Sequence, residues 1–122
     1  MSSRYPEFQS CCALMVWWTF FSRVSKIPEQ LLFHCPNQSP GGIKYRANNK
    51  RMGVRSGTPD YMLAVPRGKH HGLFVEMKST DGVVSEEQAK TLALLKAQGY
   101  ATEVCYSTDS ARSTIESYLK QT

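Results

Sequence analysis

Three charged side chains interrupt apolar segments in which burial is expected. In the stretch GTPDYMLAVPRGKHHGLFVEMKS, residues 57–79, Asp60 precedes one apolar run, and Glu76 and Lys78 lie in the next. Two carboxylates close together repel, and a hard divalent cation such as Mg²⁺ or Mn²⁺ relieves the repulsion by taking their oxygens as ligands. Such a cation can polarise a phosphodiester and activate a water, while a neighbouring lysine stabilises the charge that develops on the phosphate.

The two apolar runs are typical of paired strands, which would bring these charges together. Side chains alternate across a strand, so Glu76 and Lys78 share one face. We predict antiparallel pairing around the turn RGKHH, with Asp60 opposite Lys78 and Met62 opposite Glu76. Asp60 and Glu76 would then be diagonal neighbours, about 5.5 to 8 Å apart. The alternative is a cross-strand salt bridge on a solvent-facing surface, which contributes about 0 to 1 kcal/mol.

Periodicity and turn residues predict the elements that position these strands. An apolar helix runs from Pro6 to about Ser22, and in the clearest helix, SEEQAKTLALLKAQG, Ser85 and Gln88 fit a capping box that Gly99 follows. QLLFHC and YATEVCYS are typical of strands, DSARSTIESYLKQ of an amphipathic helix, and IKYRANNKRMGVR of a polar segment with one or two helical turns. The order helix, strand, strand, strand, helix, strand, helix indicates a mixed α/β fold with helices packed on the sheet.

Composition bounds the classes of function. The 122 residues suffice for one domain, and 41% hydrophobic with 20% charged residues is typical of a globular protein. A formal charge of +5 favours polyanionic partners such as nucleic acid. The four cysteines lack the paired CxxC spacing of a zinc site, and with no visible signal peptide they favour free thiols in a reducing cytoplasm. The run CCALMVWWTFF is shorter than the roughly 20 residues that span a membrane.

The compound pattern of residues 53–79, GVRSGTPDYMLAVPRGKHHGLFVEMKS, closely resembles the VRR-NUC family, the virus-type replication-repair nucleases of the PD-(D/E)xK superfamily. In that family a Gly-x-Pro-Asp element precedes a Glu-x-Lys element. GVVSEEQAKTLALLKAQGYATEVCYS looks like the family's Ser-x-x-Gln helix and following Gly-Tyr, and LLFHCPN like its His-x-Pro-Asn strand end. The resemblance covers most of the chain, is weakest at the N-terminus, and implies a single nuclease domain over residues 1–122. The implied fold is an α/β restriction-endonuclease-like core, a mixed sheet flanked by helices.

The resemblance also implies roles for individual residues. Asp60 and Glu76 would bind Mg²⁺ or Mn²⁺ with the main-chain carbonyl of Met77, and Lys78 would be the catalytic lysine. Gln88 matches an active-site glutamine that supports the attacking water or the lysine, a role compatible with its place in the capping box. Glu7 matches a first-helix glutamate that completes the metal site in many members; otherwise it is a carboxylate favoured by the helix dipole.

Other residues are candidates for contacts with DNA or with a second copy of the chain. Basic residues that precede Asp60 would contact phosphates: Lys44, Arg46, Lys50, Arg51 and Arg55. Family members of this size resemble homodimeric junction resolvases, and the apolar first helix, in which Trp17 and Trp18 cannot both face a small core, would supply the interface. His34 and Asn37 are expected to line the cleft, although His34 is equally compatible with a core position.

The site residues and the resemblance together predict a metal-dependent DNA endonuclease. The resemblance to junction resolvases implies structure-selective activity on branched DNA such as four-way junctions, with phage replication or repair as its setting. Two alternatives stay open. One is a noncatalytic DNA-binding module that keeps the fold and the basic residues. The other is a sequence-specific endonuclease of the same superfamily, for which the chain is short because base readout usually needs additional groove-reading elements.

Overall fold

The computed structural model describes residues 4–37 and 42–122, and side chains from residue 7 onward within those ranges. The described ranges contain four α-helices and four strands, with one short 3₁₀ helix between the first helix and the first strand. In chain order the elements are α1 (Arg4–Ser25), the 3₁₀ helix (Glu29–Leu31), β1 (Leu32–His34), α2 (Ile43–Arg51), β2 (Tyr61–Leu63), β3 (Leu73–Met77), α3 (Glu86–Ala97), β4 (Ala101–Cys105) and α4 (Thr108–Leu119).

Within the described ranges the strands form one four-stranded mixed sheet in the order β1-β2-β3-β4. β1, β2 and β3 pair antiparallel, whereas β4 runs parallel to β3. A parallel pair requires a crossover, and α3 supplies it. The mixed α/β architecture predicted from the element order is therefore confirmed.

The predicted register between β2 and β3 is wrong by two residues. Met62 pairs with Phe74, not with Glu76, and Tyr61 pairs with Val75. Continuing this register by one residue sets Asp60 across from Glu76, not from Lys78. Because a shift of two residues leaves every side chain on its own face, the two carboxylates still share a face.

The core lies on the face of the sheet that α1 and α4 cover. Val75 and Met77 point from the central strand into this layer, where Leu14 and Trp18 of α1 and Ile115 of α4 are buried with them. The Trp18 indole donates a hydrogen bond of 2.9 Å to the Glu29 carbonyl, so its one polar atom is satisfied. Alternation then turns Glu76 toward the opposite face.

α3 lies on that opposite face, beside β4. The predicted capping box is confirmed: the Gln88 amide donates to the Ser85 hydroxyl at 3.1 Å, and the Ser85 amide donates to the Gln88 side-chain oxygen at 2.9 Å. An open groove of about 740 Å³ separates the helix from β4, with Leu92 and Val104 on its two walls. The capping box, more than deep burial, fixes the start of this helix.

The aromatic residues of α1 differ in burial. Trp18 is buried, and Trp17 stacks on Phe21 with ring centroids 4.6 Å apart, but Phe20 is 63% exposed. His34 is also exposed, against an edge of the Tyr61 ring, which rules out its core alternative. No helix in the described ranges is long and apolar enough to cross a membrane.

Candidate active site

Asp60 is held by hydrogen bonds to both carboxylate oxygens. The Asn37 side-chain amide donates to Oδ1 at 3.0 Å and also to the Thr58 carbonyl at 2.9 Å. The main-chain N–H of Met77 donates to Oδ2 at 2.7 Å. A carboxylate fixed at both oxygens keeps one orientation, and each oxygen retains a second lone pair for a ligand.

Glu76 projects from the central strand and is only 2% exposed. Its Oε2 accepts a hydrogen bond of 2.9 Å from Gln88 Nε2 and lies 3.4 Å from Lys78 Nζ. Its Oε1 is buried and has no hydrogen-bond partner in the described part of the chain. The predicted proximity of Asp60, Glu76 and Lys78 is therefore what the structure has, with Gln88 as a fourth member.

Burial and like charge make the Glu76 carboxylate costly to ionise. Desolvation, and then repulsion from Asp60, raise the pKa of Glu76 to about 7, although Lys78 opposes the shift. Glu7, in the first turn of α1, belongs to the same electrostatic cluster. Burial raises the pKa of Glu7, Lys78 opposes this effect, and Asp60 adds to it. Acidic side chains of the sheet and of the start of α1 thus lie close enough to raise one another's pKa values.

Gln88 serves two structural purposes through the two ends of its amide. Its oxygen accepts the Ser85 N–H in the capping box, so its nitrogen is turned toward Glu76 Oε2. The capping box predicted for Gln88 is confirmed, and the same side chain also contacts Glu76. The partner of Gln88 is the Glu76 carboxylate; a role toward the lysine or a water stays a prediction.

The donor set fits a hard divalent cation. Carboxylate oxygens are the ligands that Mg²⁺ and Mn²⁺ prefer, and Asp60 and Glu76 offer them side by side. In the described ranges two buried side-chain polar atoms lack hydrogen-bond partners: Glu76 Oε1, on β3, and Ser79 Oγ, two residues after the end of that strand. No group of three or more acidic, histidine or cysteine side chains in these ranges is spaced to hold a metal. The ligand roles of Glu7 and the Met77 carbonyl stay predictions.

The basic residues predicted to contact DNA are all exposed and flank a turn that leads to Asp60. Ser56 donates a hydrogen bond of 2.7 Å to the Glu87 carboxylate, which anchors this segment at the start of α3. Gly57 has a φ of 87°, and an added Cβ would lie 2.9 Å from Glu87 Cγ, so the close approach requires glycine. The segment therefore reaches the rim of the site next to Gln88.

Two contacts of the site had no signal in the sequence. The Cys35 amide donates to the Asp60 main-chain carbonyl at 2.7 Å, which extends the pairing of β1 with β2 to the carboxylate. The Cys11 thiol contacts Tyr61 behind Asp60, and burial raises the pKa of Cys11 to about 11. This thiol is neutral at physiological pH, so it adds no charge beside the carboxylates.

Comparison with known proteins identifies the arrangement. The family model for the VRR-NUC domain matches residues 2–109. The chain belongs to the VRR-NUC family. A solved structure described as a VRR_NUC domain protein is similar to this chain, with a TM-score of 0.78 and 27% sequence identity over 95% of this chain and 89% of that one. A search of curated proteins found no match.

Membership of the VRR-NUC family confirms the resemblance drawn from the Pro-Asp and Glu-x-Lys elements. It makes the chain a nuclease-type domain of the PD-(D/E)xK superfamily, and it implies DNA as the substrate. VRR-NUC nucleases generally use divalent metals, which agrees with the chemistry of the Asp60 and Glu76 pair.

Proposed function

We propose that this chain is a Mg²⁺- or Mn²⁺-dependent DNA endonuclease that hydrolyses phosphodiester bonds in branched DNA such as four-way junctions. The observation that carries the proposal is the buried Glu76 Oε1 beside Asp60, which lacks a hydrogen-bond partner in the described part of the chain. Leaving a buried polar atom without a partner costs about 1–3 kcal/mol, and more for a charged group. A cation between the two carboxylates would remove this penalty and their repulsion together.

In this proposal Asp60 and Glu76 hold the cation, with the Met77 carbonyl and Glu7 as further ligands. The cation, when bound, supplies a Lewis acid that neutralises phosphate charge and lowers the pKa of the attacking water. Lys78, with a side chain only 13% exposed, is close enough to the carboxylates to stabilise negative charge that develops on the phosphate.

Residues around the carboxylates position them before DNA binds. Gln88 donates to Glu76 Oε2, while Asn37 and the Met77 N–H fix the two oxygens of Asp60. Partners of this kind orient ligands, and their loss typically lowers metal affinity or activity about 10- to 100-fold. The proposed catalytic set is Asp60, Glu76, Lys78 and Gln88.

Five lysine and arginine side chains on the segment before Asp60 hold the substrate. All five are exposed, and no acidic residue lies between Gly42 and Pro59. They would neutralise phosphates and release counterions, which makes the affinity salt-dependent. The residues proposed for this role are Lys44, Arg46, Lys50, Arg51 and Arg55.

We further propose that residues 1–122 act as a single nuclease domain in a homodimer. Apolar side chains at every fourth position of α1 are exposed: Phe8, Cys12, Val16, Phe20 and Val24. A twofold dimer buries the same stripe from both copies. The proposed setting is phage replication or repair in the cytoplasm of a bacterial or phage-infected cell. Sedimentation of the native chain tests the dimer, and a strict monomer at micromolar concentration contradicts it.

Cleavage of a panel of DNAs of matched sequence tests the activity. The panel contains duplex, flap, splayed and four-way DNA, each incubated with Mg²⁺, Mn²⁺ or EDTA. The proposal expects metal-dependent cleavage with branched DNA preferred, and none by Glu76→Gln. Binding without cleavage in any metal would indicate a noncatalytic module. Cleavage of plain duplex at one fixed sequence, regardless of branching, would indicate a sequence-specific endonuclease.

A further inference from the structure

α2 is a helix whose apolar side chains are not used by the core. None of its residues is buried. Ile43 is 80% exposed, Tyr45 is 54% exposed, and Met52, which caps the helix, is 77% exposed. A surface helix usually turns its apolar side chains toward the protein interior. Gly53, at a φ of 102°, ends the helix with a left-handed cap, so α2 is a defined element and not a frayed segment. Its exposed aromatic and apolar groups therefore have another use.

One side of α2 combines an aromatic ring with hydrogen-bonding groups. Tyr45, Asn48 and Met52 recur at intervals of three and four residues, which places them on one face of the helix. Together with Asn49 and Arg51 they line an open groove of about 620 Å³. An asparagine amide carries both donors and acceptors, as the edges of nucleobases do. The face thus offers a flat ring, a flexible apolar side chain and an amide.

The charge around this face identifies a polyanion as its partner. No acid occurs between Gly42 and Pro59, and Lys44 and Arg51 lie seven residues apart, on the same side of the helix next to Tyr45. Proteins bind single-stranded nucleic acids with aromatic faces flanked by cations, because bases stack on the ring while phosphates contact the cations. An acidic protein surface would match the charge but would leave the amide and ring without specific partners.

The connection between β1 and β2, which carries α2, is held at the candidate active site. The Asn37 side chain, just after β1, donates to the Thr58 carbonyl, just before β2, and the same amide group donates to Asp60. Ser56 fastens the returning segment to Glu87, next to Gln88. DNA bound on α2 would therefore lie close to the end of β3 that carries Glu76.

We propose that the Tyr45 face of α2 binds unpaired DNA bases beside the scissile strand. Tyr45 and Met52 stack with a base, Asn48 hydrogen-bonds to its edge, and Lys44 and Arg51 contact the flanking phosphates. The inference rests on the proposed nuclease function, because it names the part of a branched substrate that the site recognises. Preference for splayed and flap DNA over fully paired duplex then follows, because these DNAs carry unpaired bases that can stack on the ring.

Binding of two labelled DNAs to variants of Tyr45 tests the proposal. The probes are a splayed duplex and a blunt duplex of the same length and sequence, measured in EDTA so that cleavage does not interfere. Tyr45→Ala should weaken binding of the splayed DNA about 5- to 150-fold, the affinity that one stacked base contributes, and leave the blunt duplex within about twofold. Tyr45→Phe, which keeps the ring, is the matched control and should bind both probes as the native chain does.

Salt dependence separates the ring from the cations. In Tyr45→Ala the slope of log affinity against log salt should be unchanged, whereas replacing Lys44 and Arg51 with alanine should flatten it. Because α2 has no buried residues, circular dichroism should show every variant folded.

Three results would overturn the inference. Native affinity of Tyr45→Ala for splayed DNA, or equal weakening on both probes, would remove the assignment to unpaired bases. Loss of self-association in Tyr45→Ala with unchanged DNA binding would make the face a protein interface. The two proposals can fail separately. Selective loss of splayed-DNA binding in Tyr45→Ala, in a chain that cleaves no DNA, would support the inference and refute the nuclease activity. Cleavage of branched DNA together with native DNA binding by the Tyr45 variants would support the activity and refute the inference.

Discussion

Gln88 joins helix capping to the candidate active site, and two substitutions separate these roles. Gln88→Ala removes both the hydrogen bond to Glu76 Oε2 and the one that its side-chain oxygen accepts from Ser85. Ser85→Ala removes only the other half of the capping box, the bond from the Gln88 amide to the serine hydroxyl. Ser85→Ala is therefore a matched control that perturbs the same turn of α3 without touching Glu76.

The expected magnitudes follow from the hydrogen bonds that each variant loses. Loss of the Ser85 hydroxyl cap should lower the free energy of unfolding by about 1 kcal/mol. Gln88→Ala loses a neutral bond of about 0.5–1.5 kcal/mol and, when Glu76 is ionised, a charged one of about 1.5–3 kcal/mol, for a total of about 2–4.5 kcal/mol. Cleavage should fall about 10- to 100-fold in Gln88→Ala, because Glu76 loses its orienting partner, and by less than about threefold in Ser85→Ala.

Chemical denaturation gives the two stabilities, and initial rates on a four-way junction at saturating Mn²⁺ give the two activities. Equal activity losses in both variants would mean that Gln88 acts only by starting the helix. Native activity in Gln88→Ala would mean that the contact with Glu76 has no part in the reaction. Either result would refute the positioning role.

Three further predictions concern the carboxylates of the site and the basic residues between β1 and β2. Because the pKa of Glu76 is raised from about 4.5 to about 7, the metal-free chain should lose up to roughly 3 kcal/mol of stability as pH rises through this range, and in Glu76→Gln denaturation should show that loss to be absent. Asn37→Ala removes a donor from Asp60 and should weaken calorimetric Mn²⁺ binding about 10- to 100-fold, whereas unchanged affinity would exclude Asn37 as a positioning residue. Neutralising Lys50, Arg51 and Arg55 together should leave the fold intact, weaken DNA binding and reduce the salt slope by up to about 3; an unchanged slope would mean that they point away from DNA. A control triple variant removes cations at the opposite end of the sheet, Lys69, Lys96 and Lys120.

Local signals in the sequence were sufficient for the elements whose boundaries are fixed by their own residues. Ser85 and Gln88 specify the start of α3 because the capping box is made within one turn. The paired carboxylates could be recognised because burying a charged side chain within an apolar strand is costly unless a partner or a metal ion compensates the charge. The Glu-x-Lys spacing then placed Lys78 beside Glu76, where the structure has it.

The register of β2 and β3 could not be read in the same way. The hydrophobic pattern excludes a shift of one residue, which would expose the buried face, but it does not distinguish shifts of two. The connection between the strands also contains an additional bridge between Arg67 and His70, so it is not a simple tight turn. The predicted pairing of Asp60 with Lys78 failed for this reason.

Long-range contacts and surface exposure were also beyond the sequence. No spacing rule connects Asn37 to Asp60, because the fold alone brings β1 beside β2. The first helix is apolar on most faces, so its pattern did not show that Trp18 is buried while Phe20 is exposed. Such a pattern identifies a helix that packs against something, but not which side packs against the chain's own core.

Titration of Mn²⁺ into Glu76→Gln and Lys78→Ala, alongside cleavage of a four-way junction, tests the central claim most directly. Glu76→Gln should stay folded but lose metal binding and cleavage, because the amide keeps the shape of the carboxylate without its charge. Lys78→Ala should bind Mn²⁺ and cut about 10²- to 10³-fold more slowly, because lysine stabilises charge and is not a ligand. Cleavage by Glu76→Gln at the native rate, or loss of the metal in Lys78→Ala but not in Glu76→Gln, would contradict the assignment of this site.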